Sequence, residues 1–263
     1  MLELKKGKDI LAHTGAVDSI DKAEKVFESF LDNKNNQKLR VIKNEEALLK
    51  IANAIALCKP GRVFIDTGSE EDLEWLRSYA IEKGEEEKLA KKKHTVHFDL
   101  PEDQARLVDQ TYYIVNEGET VSALALSLRR DEAMEYVRTH MTGIMEELTM
   151  MIGFFSRGPV GAHATIPAIE ISSSAYVLHS AELLYRNCYA DFDREVERKG
   201  VFFTNLHSEG PNRCEDVPNA RILMDRSWFT TFSTFCTYAG NTLLLKKGNH
   251  RFSVDKAVYE NKG

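Results

Sequence analysis

Hydrophobic positions along the chain follow two rhythms, one of helical and one of strand spacing. Over residues 1–41 Lys, Asp and Asn dominate, and Ala23, Val26, Phe27, Phe30 and Leu31 recur three and four residues apart. That spacing predicts a helix on a peripheral arm or helical extension, able to pack as an extra layer. From Asn44 the pattern sharpens: a polar cap, Glu45 and Glu46 in a first turn, then Leu48, Leu49, Ile51, Ala52 and Ile55 on one face. This second helix should stop before Pro60-Gly61.

The run RVFID at 62–66 reads as a short strand. Gly68-Ser69 then caps a helix that carries Glu70, Glu71 and Asp72 in its first turn and Leu73, Leu76, Tyr79 and Ala80 toward a core, as far as Gly84. EEEKLAKKK at 85–93 reads as a solvated face or loop. Further strand-like runs stand at 111–115, 148–155, 166–171, 201–206 and 228–235, separated by helical patterns at 131–145 and 174–188. The fold class expected is α/β, a mixed sheet flanked by helices, with one domain over residues 42–263.

Composition narrows the function. With 263 residues, 43% hydrophobic and 29% charged, the chain can bury a sizeable core, and its net charge of −6 offers no field for a nucleic-acid backbone. Cys58, Cys188, Cys214 and Cys236 are far apart and form no CxxC pair, which points to reduced thiols and a cytoplasmic protein. No apolar run reaches the length that spans a bilayer, so neither nucleic acid nor membrane is expected as a partner. The eight histidines show no metal-ligand spacing and are expected at the surface or satisfied by neighbours.

Glycine-rich phosphate loops of the GxxxxGK or GxGxxG kind are absent, as are a GxSxG elbow and an HExxH helix. Three segments could carry chemistry. In YAGNTLLLKK at 238–247, Ala239 and Gly240 would let backbone N–H groups approach an anion beside the two lysines, or the segment is simply a turn before a core helix. In FFSRGPVGA at 154–162, Ser156 and Arg157 end a strand. Arg106, in LPEDQARL on a short helix begun by Pro101, is either solvated or a planar fork for a carboxylate or phosphate.

Taken in order, RVFIDTGSEED at 62–72, LPEDQARLVDQTYYIV at 100–115, FFSRGPVG at 154–161, IEISSSAYVLHSAELLYR at 169–186, LHSEG at 206–210 and YAGNTLLLKK at 238–247 resemble the GTP-type phosphoenolpyruvate carboxykinases, from about residue 45 onward. The resemblance implies the amino-terminal lobe of a two-lobed enzyme that interconverts oxaloacetate and phosphoenolpyruvate plus CO2, through decarboxylation to an enolate and then phosphoryl transfer. It casts Arg106 as the arginine that clamps the substrate, and Tyr238, Ala239 and Gly240 as the substrate-binding turn. Lys247 matches the lysine that ligates a catalytic manganese ion, and Lys246 its catalytic neighbour. A magnesium ion would accompany the phosphoryl donor, whose site falls outside this chain. The carboxy-terminal lobe is then a required partner, and this piece alone should be inactive.

Departures from the pattern are Ala239 in place of a first glycine, Leu245 in place of a glycine before the lysines, and Arg157 in place of an apolar residue. They leave GTP and pyrophosphate both open as donors. The rival readings are a non-catalytic regulatory or scaffold module that keeps the fold, and a distinct small-anion-binding domain.

Overall fold

The structure is a computed structural model and describes residues 7–98, 108–121, 123, 125–163, 165–211 and 217–236. Four helices come first: α1 (Ile10–Gly15), α2 (Ile20–Phe30), α3 (Asn33–Leu39) and α4 (Glu45–Cys58). Each starts at a residue whose side chain accepts backbone N–H groups: Asp9, Ser19, Asp32 and Asn44. β1 (Arg62–Asp66) leads to α5 (Glu70–Glu82), capped by Ser69, and to the short hairpin of β2 (Glu87–Lys88) and β3 (Thr95–Val96).

β4 (Thr111–Val115) and β5 (Leu126–Arg129) precede α6 (Arg130–Met141), and β6 (Thr149–Arg157) is followed by β7 (Ile166–Ser172) and α7 (Ala175–Leu184). After the two-residue β8 (Arg186–Asn187) come α8 (Phe192–Lys199), β9 (Phe203–Ser208), β10 (Arg221–Asp225) and β11 (Thr230–Thr234).

These elements form a mixed sheet of nine strands among the described residues, in the order β1-β6-β7-β9-β11-β10-β4-β5, with β8 beside β6. β7, β9 and β11 run parallel to one another, while β6 and β10, on either side of them, run antiparallel to their neighbours β7 and β11. Because side chains alternate across a strand, the sheet has two faces. Ile65, Ile152, Phe154, Ile169, Ile171, Leu206, Leu223 and Phe232 pack in one cluster with Ile10 and Leu11 of α1, Phe27 of α2, Ile51 and Ile55 of α4, Val137 of α6 and Phe192 of α8. Phe64, Met151, Phe155, Ala168, Phe203, Ile222 and Met224 pack in a second cluster with Leu76 and Ala80 of α5 and Leu178 and Ala181 of α7.

The mixed α/β class expected from the periodicity is what the structure has, with three differences of detail. The patterns at 131–145 and 174–188 shorten to α6 and α7. Gly143 adopts a left-handed φ of 73° and donates its N–H to Leu57 O at 2.9 Å, and the chain after α7 pairs with β6 as β8. α1, α3, the β2–β3 hairpin, β5, α8 and β10 are additional elements. The charged stretch at 85–93 is not wholly solvated: Glu86 is buried against His179, Nδ1 to Oε1 at 2.7 Å.

Candidate functional site

In sheets with parallel strands the loops at the carboxyl ends are where ligands gather. Here β7, β9 and β11 end together, since Ser172 partners His207 and Ser208 partners Thr234. The residues at this end are small and polar. Ser173 Oγ lies 3.1 Å from Ser208 Oγ and accepts the Glu209 N–H at 3.3 Å; Ser208 Oγ accepts the Gly210 N–H at 3.1 Å. Ser172 Oγ lies 2.7 Å from Nδ1 of His207, whose Nε2 bonds the Cys236 carbonyl. Burial holds the His207 pKa down, to about 4, so the imidazole is neutral.

The same end receives β4. Thr111 partners Ile222, and Ile222 partners Ser233, so the start of β4 lies two strands from the end of β11, about 10 Å away at ordinary strand spacing. The hairpin of β2 and β3 is tethered to α7 by the residues that flank it. Glu85 Oε2 accepts from Ser174 Oγ at 2.7 Å and from the Tyr176 N–H at 2.8 Å, satisfying the amino end of α7, and the His97 and Tyr176 rings stack with centroids 3.6 Å apart.

Arg106, Tyr238, Ala239, Gly240, Lys246 and Lys247 all lie outside the described residues. The segments that carry them adjoin the start of β4 and the end of β11. Ser156 and Arg157 belong to the other end of the sheet, where Arg157 partners Ile166. There Ser156 Oγ donates to Gly158 O at 2.7 Å, with Gly158 at φ 83°, so the segment is a strand-ending turn.

No histidine stands out in the sequence as a site residue, and the two that are buried among the described residues, His179 and His207, are satisfied by neighbours. What the residue pattern alone does not show is how His207 joins β9 to β7 and to the residue that leaves β11. The visible signal was the period-two spacing of Asn205 and His207, which sets both on one face of β9. Deeper on that face Glu170 accepts from Asn205 Nδ2, and burial drives its carboxyl pKa well above the usual range.

Among the described residues no group of three or more His, Cys, Asp or Glu side chains could hold a metal ion, and no helix is long and apolar enough to cross a membrane. The described side chains therefore do not by themselves make up the donor set of the manganese site that the resemblance implied.

Fold and topology define an α/β domain of the class that presents loops at the carboxyl ends of parallel strands. The chain belongs to the phosphoenolpyruvate carboxykinase N-terminal domain family, whose model matches residues 50–258. It is 35% identical to a phosphoenolpyruvate carboxykinase (GTP) of Pyrococcus furiosus over 92% of this chain and 39% of that protein. It is 37% identical to the corresponding protein of Pyrococcus abyssi over 88% and 38%, and 34% identical to that of Saccharolobus solfataricus over 88% and 37%. The chain thus spans about two fifths of the length of these curated relatives.

Proposed function

We propose that this chain is the substrate-binding, amino-terminal part of a cytoplasmic phosphoenolpyruvate carboxykinase, with residues 42–263 as the binding unit and residues 1–41 as its helical extension. Its ligand is oxaloacetate or phosphoenolpyruvate. Arg106 clamps a carboxylate or phosphate through two parallel N–H donors, and the 238–240 turn offers backbone N–H groups where the small side chains of Ala239 and Gly240 permit close approach. Lys246 adds positive charge where an enolate oxygen develops. Lys247 binds the metal as a neutral amine, its pKa lowered by the charge of the metal and of Lys246. Manganese, when bound, supplies charge stabilisation to that oxygen. The remaining metal ligands, and the site for GTP or pyrophosphate with its magnesium, belong to a carboxy-terminal lobe outside this chain. The names of the relatives favour GTP.

One observation carries this reading beyond the family match: β4 starts and β11 ends at the same end of the sheet, two strands apart. Arg106 precedes the first by five residues and Tyr238 follows the second by four. The test is oxaloacetate-dependent formation of phosphoenolpyruvate with manganese and either GTP or pyrophosphate. It is run with this chain alone and with this chain fused to the carboxy-terminal remainder of the Pyrococcus furiosus relative. Turnover confined to the fusion supports the proposal and identifies the donor. Failure of both, together with no binding of oxalate by this chain, favours the scaffold reading.

A further inference from the structure

We propose that α3 is an edge guard: Asn35 and Lys38 stand in for a neighbouring strand along the outer edge of β1, and so keep a second copy of this chain from pairing there. The inference is independent of the carboxykinase chemistry proposed above. β1 lies at one end of the sheet, with β6 as its strand partner among the described residues. A strand in that position turns every second N–H and C=O outward, a template on which another chain can add. The centre of RVFID, Val63, Phe64 and Ile65, is β-branched or aromatic, which favours such pairing. Two copies meeting edge to edge about a two-fold axis would join their sheets through β1.

Both outward peptide groups of Ile65 are taken by α3. Asn35 Oδ1 accepts the Ile65 N–H at 2.8 Å, and Lys38 Nζ donates to Ile65 O at 2.9 Å. An acceptor and a donor three residues apart on one helix face thus reproduce the two hydrogen bonds that a strand would make. Each is held from behind. Asn35 Nδ2 bonds both carboxylate oxygens of Asp32, at 3.0 and 3.1 Å, so the side chain is buried with its polar atoms occupied. Lys38 Nζ also donates to Asp72 Oδ1 of α5 at 2.5 Å, and Asp72 Oδ2 accepts the Thr67 N–H at 3.0 Å, which ties the guard to the chain that leaves β1. The sequence of α3, NKNNQKL, fits this role. Its three asparagines favour a helix only weakly, and Leu39 is its single apolar side chain, so what α3 brings to β1 is polar.

The experiment pairs sedimentation velocity over a concentration series with amide hydrogen exchange at Ile65, read by 15N NMR. It compares the wild type with Asn35→Leu combined with Lys38→Met, which removes the acceptor and the donor while keeping side-chain bulk. In the wild type the Ile65 amide should be protected and the sedimentation coefficient constant across the series. In the double variant at low concentration that amide should exchange about tenfold faster or more, the loss of one hydrogen bond. At the top of the series the variant should sediment as a larger species, and the Ile65 amide should regain protection, because β1 of a second copy has replaced α3. Three results would overturn the inference: a wild-type Ile65 amide that exchanges like a free surface amide, a double variant that sediments as the wild type does throughout, or association that leaves the Ile65 amide exchanging fast, since the contact would then lie elsewhere. Should the double variant not fold, Asn35→Leu alone carries the same test with the same outcomes.

Discussion

Asp66 closes β1 with its side chain wholly buried. Oδ1 accepts the Gly68 N–H at 2.9 Å, while Oδ2 meets no donor among the described residues. Burial, and then the neighbouring Glu182 carboxylate, push the Asp66 pKa up to about 8. A carboxyl raised in this way favours the folded state when protonated. Its contribution is full below the unfolded pKa of about 4 and is lost as pH rises through about 8. Asp66→Asn keeps an acceptor for Gly68 and offers a donor toward Glu182. The variant should therefore show a urea midpoint that changes less than the wild type's across that window, and should be the more stable of the two at its alkaline end. Parallel profiles would contradict the assignment.

His207 has the opposite sign. Its depressed pKa gives stability that is present above about 6.5 and lost as pH falls through about 4, so His207→Gln should soften acid unfolding in the same assay. Neither burial was legible in the sequence, because a single Asp at the end of a strand and a His in an alternating run look the same whether solvent or protein covers them.

At the scale of elements, legibility followed periodicity. α4 and α5 were readable because caps, first-turn acids and apolar stripes agree. α8 was not, because FDREVERK carries only Phe192 and Val196 as apolar positions, a single i,i+4 pair amid charge. α2 was visible as an amphipathic patch, and it buries Phe27 in the same cluster as the sheet. Phe27→Ala should then cost about 3–5 kcal/mol, measured by urea unfolding, as large aromatic truncations in cores do. A loss below about 1 kcal/mol would mean the helix is loosely attached.

α6 is fastened differently. Arg130 forks onto the buried Asp225 of β10 and also donates to Lys8 O at 2.8 Å and to Asn116 at 2.6 Å. Arg130→Ala would strand that carboxylate, at a cost of about 3–5 kcal/mol, whereas Arg130→Met combined with Asp225→Leu should recover most of it. If the double variant is no more stable than the single, the pair is not acting as an isolated charge couple.

For the whole molecule, the class was legible and the strand order was not. Alternation says which residues share a face, but β4 beside β10 and β11 beside β9 are long-range choices that no local pattern encodes. The candidate site divides in the same way. Its nominated residues came from motifs, in two segments more than a hundred residues apart. Only the topology shows that the strands adjoining those segments meet at one end of the sheet. FFSRGPVG, equally prominent as a motif, ends a strand at the opposite end.

That convergence matters only if the two segments act on one ligand, which calorimetric titration of phosphoenolpyruvate into the 263-residue chain and its Arg106→Ala variant tests directly. Saturable one-site binding that Arg106→Ala weakens by about tenfold or more is the expected result, the loss appropriate to a bidentate charge-assisted contact. Equal affinity in the two proteins, or no binding by the wild type, would contradict it.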